Sequence, residues 1–334
     1  MDRIFFHEVV MRDGLQSEPQ FVPTDAKVAL IDALSDCGLA KIEVTSFTSP
    51  RAIPMLRDAE EVMGRIRRRP GVTYAALVPN VRGAERALEA GADELNLVLS
   101  VSATHNLANL RMTPQRSAQA LAQVIALARS RSAINLSLAC AFGCPMEGAV
   151  APDTVLDWAR RLQDQGVRGL TLCDTTGMAH PDQVSRLAEA AQRLDFEQLT
   201  MHFHDTRGMG LANVLAAVRA GVRRFDGSLG GLGGCPYAPG ASGNICSEDA
   251  LHMLGAMGYD TGVDLERLLA VGRALPAVVG HAVPGQVCKA GPSMQLHPVP
   301  PDVQALMRSA GLQGTDSAAA RQRISGPPWQ APGS

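Results

Sequence analysis

The chain repeats one unit eight times: a short β-rich run, a polar turn, then a segment of helical period. The strand-like runs fall at residues 4–10 (IFFHEVV), 40–47 (AKIEVTSF), 73–79 (TYAALVP), 94–100 (ELNLVLS), 134–142 (INLSLACAF), 169–176 (GLTLCDTT), 199–204 (LTMHFH) and 224–230 (RFDGSLG). No hairpin signal interrupts them. Continuous βα alternation predicts parallel strands, because a crossover helix returns the chain to the same end of the sheet. Eight such units match the roughly 250 residues typical of a (β/α)8 barrel. A doubly wound sheet is the alternative, weakened because no G-x-G-x-x-G follows the first strand. The expected fold is therefore α/β, a (β/α)8 TIM barrel with a short C-terminal extension.

The helical segments carry their own signals. Thr24 reads as the N-cap of the first helix, with Val28, Leu30, Ile31 and Leu34 on its apolar face. The helix after the fourth strand is placed at about 114–130, Pro181 opens the one after the sixth, and a last barrel helix spans about 247–257. The pattern changes near residue 275. Residues 1–275 are assigned to the catalytic barrel and 276–334 to a Pro/Gly-rich, partly disordered extension with a short helical piece at 302–310.

Composition excludes several classes of function. The net charge is −2, aromatics make up 4%, and the densest basic run is RIRRR at 65–69. That is a poor nucleic-acid surface and reads as a solvated helix end. No apolar run reaches the ~20 residues of a bilayer crossing. The N-terminus enters strand-like sequence at once, and the seven cysteines form no paired framework. A cytoplasmic protein with reduced thiols is expected.

Chemistry concentrates at the C-terminal ends of the strands, where barrel active sites lie. His202 and His204 are two apart on the seventh strand, so both imidazoles share a face and Phe203 takes the other. Such a pair binds a divalent cation or forms a hydrogen-bonded core pair. Arg12 and Asp13 follow the first strand. Asp13 offers a hard oxygen ligand and Arg12 a cation for a developing oxyanion; a strand-end ion pair is the plainer reading. Glu43 is a carboxylate in an otherwise apolar or hydroxylic strand and wants a partner, with Arg12 nearby. Asp174 ends the sixth strand, either orienting a ligand or serving a turn. The Gly-rich stretch 230–244 holds Cys235 as a reactive or an idle thiol, and Asn244 with a carbonyl oxygen for a metal. Two nitrogens and two oxygens suit Mg2+, Mn2+ or a similar ion better than a closed zinc site.

At these residues the chain resembles the 3-hydroxy-3-methylglutaryl-CoA lyases of the DRE-TIM metallolyases. RDGLQ, IEVTSF.SP, HFHDT.G..LAN and GLGGCPYA.GASGN..SED occur in that order. The resemblance implies a retro-Claisen cleavage of a CoA thioester. Asp13, His202, His204 and Asn244 would bind Mg2+ or Mn2+, and Arg12 would stabilise the enolate. Glu43 would hold Arg12, and Cys235 would act from a lid. Asp13 or His202 would move the proton. Glu8, Gln16, Ser102, Asn109 and Asp174 would line the substrate and CoA site, and a homodimer is implied. Condensing acyltransferases of the isopropylmalate and homocitrate type share the Arg-Asp and H-x-H elements without the cysteine loop. A non-catalytic barrel would be expected to have lost a ligand.

Departures from the pattern bear on the acyl group. Ala103 and Ala108 stand where the lyases usually have glutamate and lysine, with Arg111 or His105 as possible replacements for the charge. Met146 and Arg207 stand where aromatic residues are common. Citramalyl-CoA or a longer-branched glutaryl-CoA is the alternative substrate.

Overall fold

The structure, a computed structural model, describes residues 2–234 and 243–311. Eight parallel strands close into a barrel in sequence order. They are β1 (Phe5–Glu8), β2 (Lys41–Ser46), β3 (Thr73–Leu77), β4 (Glu94–Ser100), β5 (Ala133–Ala139), β6 (Gly169–Asp174), β7 (Gln198–Phe203) and β8 (Arg224–Gly227). Closure comes from β1 pairing with β8, Phe5 opposite Arg224 through Glu8 opposite Gly227. The outer helices are α1 (Thr24–Ser35), α2 (Ala59–Arg65), α3 (Val81–Glu89), α4 (Ala103–Leu110), α5 (Pro114–Ala128), α6 (Pro152–Gln163), α7 (Pro181–Gln192), α8 (Gly210–Arg219), α9 (Ser247–Ala256) and α10 (Leu265–Val279). Two shorter helices follow, α11 (Val287–Ala290) and α12 (Pro301–Ser309), the latter with no buried residue. No described helix is long and apolar enough to cross a membrane.

The apolar core lies between strands and helices. Outward-facing Ile42 and Val44 are buried, and so are Leu30, Ile31 and Leu34 of α1. Each such side chain contributes about 1.5–3 kcal/mol on burial. The barrel interior is different. Branched apolar residues are the usual filling, but here Lys41, Glu43, Glu94, Asn96, Asn135 and Thr171 are buried there. They satisfy one another. Lys41 Nζ donates to both Glu94 oxygens at 2.5 and 2.7 Å near the N-terminal end of the barrel.

Several boundaries differ from the sequence reading. β1 stops at Glu8, and residues Val10–Gly14 form a π-helical turn, with Asp13 N and Gly14 N both donating to Val9 O. Thr24 does not cap α1: it is the first helical residue, and its hydroxyl donates to Asp58 Oδ2 at 2.8 Å. α4 is an additional helix, split from α5 by Arg111 in the left-handed region (φ 58°). α10 runs through residue 275, tolerating Pro276 close to its end, where Gly280 (φ 83°) closes it. Cys37, Cys144, Cys173, Cys246 and Cys288 are free thiols.

Candidate active site

Four peptide segments bring the site together at the C-terminal mouth. The π turn after β1 aims Arg12 and Asp13 inward, a local irregularity of the kind often found at functional sites. β7 places His202 on its inner face, and His204 follows just beyond the strand end. Residues 243–245 run back against that end: Asp205 N donates to Gly243 O, Ile245 N donates to Phe203 O, and His204 bridges Asn244. Gly233 (φ 98°) lets the backbone pass between them. A Cβ there would stand 2.7 Å from both Asn244 Nδ2 and Asp13 O.

One ligand atom each from Asp13, His202 and His204 lies within 4.8 Å of the others, all three residues buried. His202 Nε2 and His204 Nε2 are 3.0 Å apart. Two imidazole lone pairs this close need a proton or a cation between them. His202 Nδ1 donates to Asp226 Oδ1 at 2.8 Å, so its Nε2 keeps a lone pair for the cluster. Asn244 Nδ2 donates to Asp13 Oδ2 at 2.7 Å, and Asn244 Oδ1 is buried with no partner among the described residues. An orphaned amide oxygen beside a carboxylate and two imidazoles is a donor set that fits a divalent cation.

The electrostatics agree. Burial alone would raise Asp13, but Arg12 and the two imidazoles outweigh it and hold the carboxyl at about 2. Burial also disfavours a charged imidazole, yet Asp226 lifts His202 to about 9, while burial and the neighbouring His202 take His204 to about 3. The pair therefore carries one positive charge when no cation is bound. Arg12 is clamped by carboxylates: its Nε donates to Glu43 Oε2 (2.7 Å) and its Nη1 to Asp13 Oδ1 (2.6 Å). Burial would lower it, but Glu43 and Asp13 raise it above the usual arginine range.

A cavity of about 420 Å³ opens from this mouth down the barrel. Arg12, Asp13, Gln16, Glu43, Asn109, His202 and His204 line it. Gln16 also steadies Asp13, its Nε2 donating to Oδ1 at 2.8 Å. Of the five residues expected to line the substrate and CoA site, three do not line it. Glu8 faces the helix layer, one position along β1 from inward His7. There it accepts from Val10 N, Leu229 N and Ser247 Oγ, and burial pushes it up to about 8. Ser102 caps α4 and donates to Cys144 Sγ. Asp174 accepts from Met178 N and Ala179 N in a turn, with burial raising it to about 6. Cys235 lies outside the described residues. His105 lines the cavity, but burial lowers its pKa, so it brings a neutral imidazole rather than a replacement charge. Asp226 was missed in the sequence. Its signal was available: it sits two residues from Arg224 on a short strand, a carboxylate on the inward face.

Comparison with known proteins places the chain in one family. The model of the HMGL-like family matches residues 3–275. The hydroxymethylglutaryl-CoA lyase of Bacillus subtilis is 44% identical over 286 residues, 85% of this chain and 96% of that protein. A 3-hydroxy-3-isohexenylglutaryl-CoA/hydroxymethylglutaryl-CoA lyase of Pseudomonas aeruginosa is 41% identical, covering 85% of this chain and 95% of that one. Among solved structures, an HMG-CoA lyase from Acinetobacter baumannii in complex with coenzyme A and 3-methylmalate superposes with a TM-score of 0.87 at 50% identity, over 90% of this chain and 98% of that one.

Proposed function

The chain belongs to the HMGL-like family, and from that membership we infer that it is a carbon–carbon lyase. It cleaves 3-hydroxy-3-methylglutaryl-CoA to acetyl-CoA and acetoacetate by a retro-Claisen reaction. The observation that carries the reading is the convergence of Asp13, His202 and His204 beside an arginine held by two carboxylates, at the mouth of a barrel cavity.

Asp13, His202, His204 and Asn244 would hold Mg2+ or Mn2+. When bound, the ion acidifies the substrate hydroxyl and anchors its free carboxylate. The rest of the work belongs to the chain. Asp226 holds the His202 ring through Nδ1, with Nε2 toward the cluster, and Asp13 or His202 moves the hydroxyl proton. Arg12 presents a permanent cation to the thioester oxygen, where negative charge gathers as the bond breaks. One preorganised donor of this kind is worth roughly 10²–10³ in rate. Glu43 keeps Arg12 from swinging away. Cys235, by the family resemblance, would take part in the same reaction.

Turnover of HMG-CoA with Mg2+ or Mn2+, following acetoacetate and acetyl-CoA, tests the reading. Wild-type cleavage that requires metal and is lost in His202→Ala is expected. Condensation of acetyl-CoA with a keto acid, without cleavage, would move the protein to the acyltransferases. One observation favours a second reading within the lyases: the cavity lining continues past Ser137 and Asn135 to Lys41 and Glu94. Citramalyl-CoA and longer-branched 3-hydroxyglutaryl-CoA belong in the same assay.

A further inference from the structure

We propose that Asn96 is a positioning residue for this reaction: through Glu43 it holds the Arg12 guanidinium where the enolate oxygen forms. The proposal rests on the lyase reading for the identity of the reaction, and on hydrogen bonds inside the barrel for the rest.

Glu43 has two carboxylate oxygens and two restraints. Oε2 accepts from Arg12 Nε at 2.7 Å, and Oε1 accepts from Asn96 Nδ2, also at 2.7 Å. Asn96 is in turn held from behind. Its Oδ1 accepts from Asn135 Nδ2 at 3.0 Å and from Ser137 Oγ at 2.8 Å, and Asn135 Nδ2 also reaches Thr171 Oγ1 at 3.0 Å. The amide of Asn96 therefore has one permitted orientation. Flipped, its oxygen would face a carboxylate and its N–H groups would face two donors. The chain of bonds runs from β6 through β5 and β4 to Glu43 on β2 and ends on the arginine.

Burying this many polar groups in a barrel where Val, Ile or Leu would pack costs stability unless every partner is present. A plain structural account would need only that these groups satisfy one another. That account leaves unexplained why the chain terminates on Arg12, a residue that lines the open cavity. Arg12's other restraint among the described residues is Asp13, a member of the candidate metal cluster whose own oxygens are shared with Gln16 and Asn244. Glu43 is the anchor of Arg12 outside that cluster, and Asn96 sets which way Glu43 points. Since Arg12 meets full negative charge only as the bond breaks, slack in it should lower kcat and leave KM nearly unchanged.

The test uses Asn96→Leu, which removes the donor at similar volume, Asn96→Asp, which keeps the shape without a free donor, and Glu43→Gln alone and combined with Asn96→Leu. Three readouts are taken: kcat and KM for HMG-CoA, Mn2+ affinity, and exchange of acetyl-CoA methyl protons into D2O. The exchange needs an enolate at Arg12 but no cleavage. A displacement of about 1 Å costs on the order of 100-fold in rate. Asn96→Leu is therefore expected to lose about 10- to 100-fold in both kcat and exchange, with KM and Mn2+ affinity within about threefold. In the Glu43→Gln background the same change should cost little more, because the two act as a unit. Losses that multiply in the double variant, or a lower melting temperature with unchanged kcat and exchange, overturn the proposal. If Asn96→Leu does not fold, Asn96→Asp is read by the same criteria. Wild-type protein that exchanges acetyl-CoA protons but does not cleave HMG-CoA refutes the substrate reading and leaves this one standing.

Discussion

Replacing Asp226 with alanine separates two things that its carboxylate does to His202. With Asp226 in place and no cation bound, His202 titrates near 9 against an ordinary 6.5. That gap is worth about 3 kcal/mol at 1.36 kcal/mol per pH unit. A ligating imidazole must be proton-free, so binding a cation near neutral pH releases close to one proton, and the apparent affinity rises about tenfold per pH unit until roughly pH 9. Near pH 7 the proton therefore costs the wild-type site about two pH units of affinity, or about 2.7 kcal/mol. Alanine removes this competitor, because burial then keeps His202 below its ordinary value. It also removes the bond that points the ring, typically a loss of 10–100-fold in metal affinity. The two effects oppose near neutral pH and part above it. Asp226→Ala should bind Mn2+ almost as well as wild type near pH 7 and about 10- to 100-fold more weakly near pH 9. Calorimetric titration with Mn2+ in two buffers of different ionisation enthalpy counts the protons released. A wild type that releases none near pH 7, or a variant with the wild-type pH slope, refutes the reasoning.

Glu43→Gln should lower kcat by roughly 100-fold with little change in KM, read by steady-state kinetics. Lys41→Met strands Glu94 in the barrel without its partner and should cost about 3–5 kcal/mol in denaturant unfolding, largely recovered by Lys41→Met with Glu94→Leu. Glu8 has a folded pKa near 8, above its ordinary 4.5. Its contribution to stability is therefore fully present below the lower value and is lost as pH rises through the higher one. Wild type should melt at progressively lower temperature from about pH 5 to 8 relative to Glu8→Gln, and parallel melting curves across that range would exclude this. Cys235→Ser should keep wild-type Mn2+ affinity while lowering kcat, measured on the same preparation.

The strands were legible because their outer faces carry what a buried parallel sheet demands. Runs such as ELNLVLS and INLSLACAF hold large apolar side chains on alternate positions, and β4 matches its expected span at both ends. Period-two alternation also made His202 and His204 legible as a pair. The same alternation places Glu8 on the outer face, since His7 and Val9 line the cavity. The expectation that Glu8 lines the site follows the resemblance rather than the pleat. α4 was hidden because it is short and because a left-handed Arg111, which no residue type announces, separates it from α5. Asn96 and Asp226 were hidden for a different reason. A lone polar residue in a strand acquires meaning only from its partner, and these partners lie 53 and 24 residues away.

That distance also explains what the polar interior does for the fold. The outer apolar layer would tolerate a strand slid by two residues, because the pleat would still present the same kind of face. The inner bonds do not tolerate it. Glu43 meets Asn96, Asn96 meets Asn135, and Lys41 meets Glu94 only in the observed register. A slip of two residues would leave several buried polar groups unpaired, at about 1–3 kcal/mol each. The bonds that hold Arg12 to its task thus also select the barrel's register, and the two roles place one demand on the same residues.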